Sequence, residues 1–155
     1  MDLFLATCQG IGLALAAGTL GGALAGGAPR RGSTQSPLVT ALLVIAGLAG
    51  AFLFGASLAT ADHPAWPGWW VGAFIAVFSF VTVRGIVSGA IERTPGQGSQ
   101  AGIAGFLALG ALVLAGLSLL PTSPIALVAL AALAYLALTR RRQAQQKHEG
   151  LRSLR

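Results

Sequence analysis

The stretch LFLATCQGIGLALAAGTLGGALAGG, Leu3 to Gly27, decides the fold. It contains no charge and no proline. About 20 apolar residues in a helix cross the hydrocarbon layer of a bilayer. Within the stretch, Gly10, Ala14, Gly18, Gly22 and Gly26 are each four apart. That spacing puts small side chains on one helix face along the whole length. Lipid gives helices little hydrophobic drive to associate, so close backbone contact must hold them together, and glycine permits it. The stretch therefore predicts a membrane-spanning helix with a packing ridge.

The rest of the chain agrees with that reading. Of its 155 residues 55% are hydrophobic and 9% charged, against about 25% charged in a soluble domain. Mean hydropathy is +0.77. So few charges cannot cover a soluble surface. A soluble enzyme, a nucleic-acid-binding module and a disordered chain are excluded. The chain starts Met1-Asp2, and its first basic residues, Arg30 and Arg31, follow the apolar stretch. That is the reverse of a signal peptide's charge order.

Four further apolar stretches follow, at about 38–59, 69–91, 101–120 and 125–139. Polar turns rich in proline separate them. The turn at 60–68 holds Pro64 and Pro67 and cannot continue a helix. The expected fold is an all-α integral membrane protein, a five-transmembrane-helix bundle over residues 1–139 with a basic tail at 140–155. Four spans plus a broken or re-entrant first segment is the alternative. A second ridge of small residues is expected on span two, at Gly47, Ala51, Gly55 and Ala59.

Charge sets the orientation. In a five-span arrangement Arg30, Arg31, Arg84, Arg93, Arg140, Arg141, Arg142, Lys147, Arg152 and Arg155 all fall on one side. Asp2, Asp62 and His63 fall on the other. Basic residues collect on the cytoplasmic side. The N-terminus is thus expected outside and the C-terminus in the cytoplasm, in a bacterial cytoplasmic (inner) membrane. The net charge of +6 is explained by this bias and needs no nucleic acid.

A few residues stand out chemically. Trp66, Trp69 and Trp70 cluster at the outer start of span three, where indoles form an interfacial belt. Arg84 is the basic residue placed inside a span, about five residues or about 8 Å from its inner end. It either snorkels to lipid phosphate or faces the bundle as a buried cation. Ser88 and Glu92 follow it along the same face, and Gln9 is polar near the outer end of span one. These four are the candidate contacts for anionic lipid or a solute. Gly10, Gly18, Gly22, Gly26, Gly47 and Gly55 are the candidate helix-packing positions, either within one chain or between subunits. Arg140, Arg141 and Arg142 anchor the tail at an anionic surface.

Asp62 and His63 are adjacent, but two residues do not make a metal site. Cys8, the sole cysteine, excludes an internal disulfide. The sequence lacks Ser/His/Asp sets, paired carboxylates, HExxH and phosphate-cradling loops. Neither an enzymatic activity nor a cofactor is expected.

The ending Lys147-His148-Glu149-Gly150-Leu151-Arg152-Ser153-Leu154-Arg155 resembles that of small bacterial polytopic membrane proteins of unknown function. Those proteins share a Gly/Ala-rich first helix, here Gly10 to Gly27. They also share an Asp and prolines before the third span, here Asp62, Pro64 and Pro67. The resemblance implies no activity or site. Two functions are expected from the residues. One is a small homo-oligomeric, channel- or transporter-like protein that binds anionic lipid or solute. The other is a non-catalytic accessory or scaffold subunit of a larger membrane complex, docked on a membrane protein partner.

Overall fold

The computed structural model describes residues 3–26, 36–93, 102, 105–106, 109–113, 127–136 and 138–139. Among these residues all regular structure is helical. Three helices are long and apolar enough to cross a membrane: α1 (Leu3–Gly26), α2 (Pro37–Ala59) and α3 (Trp66–Arg93). Of the expected fourth span, the described residues 102, 105–106 and 109–113 are helical. Of the fifth, Leu127–Leu136 forms a shorter apolar helix. Arg30, Arg31, the segment 94–101 and the tail 140–155, with Arg140, Arg141 and Arg142, lie outside the described residues.

Local chemistry sets the helix ends. Pro37 occupies the first turn of α2, where its missing N–H would have no partner anyway. The Ser36 carbonyl accepts from the Val39 and Thr40 N–H groups at 2.9 and 3.2 Å. At the far end, the His63 N–H donates to the Leu58 carbonyl at 3.1 Å and the Asp62 N–H to the Ala59 carbonyl at 3.2 Å. This pair of bonds is a Schellman closure, which needs a left-handed residue between its two donors' carbonyl partners and the departing chain. Asp62 supplies it, with φ of 59°.

The third helix begins earlier than the sequence suggests. It starts at Trp66, three residues before the expected start at about residue 69. Pro67 therefore lies in the first helical turn, where proline is tolerated, instead of in a loop. The Trp69 N–H closes that turn on the Ala65 carbonyl at 3.3 Å. All three tryptophans thus belong to one helical surface.

The three helices form a triangle in which each touches the other two. Gly10 faces Phe54 and Ser57, while Gly21 faces Ala46, so α2 runs antiparallel to α1. Gly18 faces Ala76 and Ser79, and Gly26 faces Val87, so α3 runs parallel to α1. One core cluster, towards the α2–α3 turn, joins Ala14, Leu15, Phe54, Leu58 and Ile75. Ala129, Leu130 and Leu133 of the helix Leu127–Leu136 pack against it. At the other end Phe80 packs with Ala25, Val39 and Ala46, and Val83 and Val87 with Ala23. Large apolar side chains such as Phe52, Phe74, Leu48 and Trp70 point outwards, as a lipid-facing surface requires.

The small-residue ridges behave differently on the two helices. All five ridge positions of α1 are buried. A four-residue step overshoots one helical turn by about 40°, so the ridge winds from α2 at Gly10 to α3 at Gly18, Gly22 and Gly26. The expected ridge of α2 does not hold as one face: Gly47 and Gly55 are buried, Ala51 is half-buried and Ala59 is exposed. Gly47 and Gly55 both meet α3, at Val77 and Trp69, whereas Ala59 lies at the exposed end of the helix. Gly50, off that ridge, makes the close approach instead.

Candidate functional site

The packed interior is the best-defined feature of the molecule. Several of its close contacts set glycine against backbone. A Cβ on Gly18 would collide with the Ala76 carbonyl oxygen and sit 2.8 Å from the Ser79 Cβ. A Cβ on Gly22 would lie 2.7 Å from the Phe80 carbonyl oxygen. Gly50 and Gly72 face each other across α2 and α3, each occupying the space a side chain on the other would need. Two phenylalanine rings fill the hollows the glycines leave. Phe54 lies over Gly10, Gly68 and Gly72, and Phe80 over Gly21.

The sequence reading missed Gly50, Gly72, Phe54 and Phe80. One signal was present: Gly68, Gly72 and Ala76 are each four apart and form a small-residue ridge on α3. Gly55 does lie at a helix contact, although its neighbour is the Trp69 indole, which covers the place of the missing side chain. Trp69 is therefore part of the α2–α3 packing as well as the outer surface, whereas Trp66 and Trp70 are 65% and 76% exposed. Gly47 makes only an ordinary contact, 3.4 Å to the Val77 Cγ2.

Polar groups in this interior are few. Among the described residues the buried polar side chains are Ser57 and Ser79. Ser57 Oγ donates to the Phe54 carbonyl of its own helix at 2.7 Å. Ser79 Oγ donates across to the Leu15 carbonyl of α1 at 3.2 Å. That interhelical bond exists because Gly18 lets α3 come close enough. Neither serine opens a wetted route.

The candidate polar contacts do not converge. Gln9 is half-buried near the start of α1. Arg84 is half-buried on α3, its backbone nitrogen 3.2 Å from where a Gly22 Cβ would stand. Thirteen residues of α1 separate these levels, about 20 Å along the axis. Ser88, one turn beyond Arg84, donates to the Gly85 carbonyl at 3.3 Å. The side chain of Glu92 lies outside the described residues. At the other end Asp62 and His63 are exposed, and among the described residues no three His, Cys, Asp or Glu come together. Cys8 is a buried free thiol.

The surface carries one shallow, open apolar groove on α2, lined by Pro37, Thr40, Ala41, Val44 and Ile45. Compared with known protein families, curated proteins and solved structures, the chain finds no match.

Proposed function

We propose that the chain is a non-catalytic scaffold or accessory subunit of a larger assembly in a bacterial cytoplasmic membrane. It crosses that membrane five times, with its N-terminus outside and its C-terminus in the cytoplasm. The dry, glycine-locked interior of α1–α3 carries the reading. A transporter or channel needs polar groups along a path, and the interior of this triangle has two serines, both bonded to carbonyls. The packing of the helix Leu127–Leu136 against the turn-end cluster supports the fifth span. A helix entering from the side of the α2–α3 turn would meet that cluster first.

The competing reading is a homo-oligomeric channel or transporter, whose path would have to run between chains. The α1 ridge offers it no interface, because α2 and α3 already occupy that face. Mild extraction from the native membrane followed by native mass spectrometry, paired with vesicle flux, tests the proposal. The expected result is a second membrane protein at fixed stoichiometry and no leak of ions or small solutes above empty vesicles. A homo-oligomer that conducts in vesicles would overturn it.

A further inference from the structure

The exposed line of α3 runs Trp70, Phe74, Val77, Val81. Steps of four, three and four keep these residues on one helix face. The next two steps on the same face reach Arg84 and Ser88, both half-buried. A line of large apolar side chains faces lipid, since close helix contact in a membrane selects small ones. Arg84 and Ser88 therefore stand where a lipid-facing surface nears a headgroup layer.

Depth makes this arginine costly alone. With the outer boundary at Trp70, Arg84 lies about 21 Å in, and about 9 Å short of the far side of a layer about 30 Å thick. A helical side chain leaves the backbone tilted towards the helix N-terminus. For Arg84 that direction is towards the bilayer centre. Its backbone packs closely against Gly22 of α1, with the nitrogen 3.2 Å from where a Gly22 Cβ would stand. The guanidinium must bend back against this tilt to reach the surface, and a charge in hydrocarbon needs a counter-charge.

Among the described residues no carboxylate stands at that depth. Its acids are Asp2, Asp62, Glu92 and Glu149. Asp62 lies in the turn at the opposite end of α3, and Asp2 precedes α1 in the sequence, a helix that runs parallel to α3. Glu92 is two turns on, about 12 Å further along the axis, and Glu149 belongs to the tail beyond the spans. No carboxylate is adjacent to Arg84 in the sequence or among the described residues, which leaves its place open to a partner from outside the chain.

We propose that Arg84 and Ser88 bind the phosphate of an anionic phospholipid in the leaflet at the C-terminal end of α3. The guanidinium forks onto two phosphate oxygens, a geometry arginine offers and lysine does not. Ser88, nearer the surface by one turn, exchanges its long 3.3 Å bond to the Gly85 carbonyl for a phosphate oxygen. An acyl chain lies along Val81, Val77 and Phe74. This site goes beyond the scaffold reading and stands whether or not a protein partner exists.

The test uses the full chain in mild detergent. Phosphatidylglycerol, phosphatidylcholine or inorganic phosphate is added, and lipid retention is read by native mass spectrometry at about 1 M salt. Screening within about 3 Å at that salt strips lipid held only by the exposed basic tail. The wild-type chain is expected to retain phosphatidylglycerol in preference to phosphatidylcholine, and inorganic phosphate should not displace it. Arg84→Gln should lower that retention by about tenfold, the scale of one lost charge-assisted contact, with thermal unfolding unchanged. Should Arg84→Gln not fold, Arg84→Lys keeps the charge and should still lose part of the preference. Equal retention of both lipids by the wild-type chain, or of phosphatidylglycerol by wild-type and folded variant chains, would overturn the site. Displacement by inorganic phosphate, or a carboxylate-bearing protein found crosslinked at position 84, would overturn the lipid as occupant.

Discussion

Glycines that look alike in the sequence differ in what they hold. Gly18 faces the backbone carbonyl of Ala76, which cannot rotate away. Gly47 faces only the tip of Val77 at ordinary contact distance. Gly18→Ala is therefore expected to destabilise by about 1–3 kcal/mol, the range for overpacking a tight core. Gly47→Ala is expected to be neutral or to stabilise by up to about 1 kcal/mol, since alanine loses less backbone freedom in a helix. Thermal unfolding in one mild detergent compares the two directly, and equal losses would show that spacing alone decides the cost. Ser79→Ala removes the bond to the Leu15 carbonyl and is expected to cost about 0.6 kcal/mol, the typical size of such a bond between membrane helices. The ridge of α1 was legible because a four-residue spacing is local information. Which neighbour each glycine meets was not, because that depends on angular drift and on where the turns bring α2 and α3. Phe54 and Phe80 were illegible for a different reason: when both the lipid face and the core are apolar, hydrophobic periodicity carries no inside-or-outside signal.

At the scale of elements, the α2–α3 turn combines two chain-stopping devices within a few residues. The Schellman closure ends α2, and Pro64 and Pro67 steer the chain into α3. The closure places Asp62 in a left-handed conformation, which glycine adopts freely and aspartate tolerates at some cost. Asp62 is also exposed, so its side chain brings no packing to offset that cost. Asp62→Gly is expected to raise stability by up to about 1 kcal/mol, and Asp62→Val to lower it by about 1–2 kcal/mol. Both are read as shifts in thermal midpoint. If Asp62→Gly instead lowers the midpoint, the carboxylate has a partner at the outer surface that offsets its strain. The sequence placed this turn correctly between spans, but it assigned Pro67 to the loop. Proline marks a helix boundary without saying on which side of it the proline falls; here it is inside, and Trp66 comes with it.

For the whole molecule the decisive quantity is the number of crossings. The parallel pairing of α1 with α3, and the antiparallel pairing of each with α2, put the starts of α1 and α3 at one end of the triangle. Arg93 ends α3 at the opposite end, and residues 30–31 follow α1 in the sequence. Arg140, Arg141 and Arg142 reach the side of Arg93 only if the intervening chain crosses an even number of times, and residues 101–139 have room for two spans. Topology is therefore a parity statement that labelling can read. A cysteine at His63, exposed in the α2–α3 turn, is expected to react with a membrane-impermeant maleimide in intact cells. An N-terminal tag should be accessible on the same side. A cysteine at Ser99 and a C-terminal tag should become accessible only after permeabilisation. The native Cys8 is buried and should contribute little background. An N-terminal tag on the side of Ser99 would mean that α1 does not cross, giving four spans with a re-entrant first segment. The glycine ridge would then be serving a helix that enters and leaves by the same face. That outcome would conflict with the way α1 runs alongside α3 from Gly18 to Gly26 if α3, which is long and apolar enough to cross, does so. Parity and packing thus constrain each other, and a labelling pattern that broke one would require the other to be rebuilt.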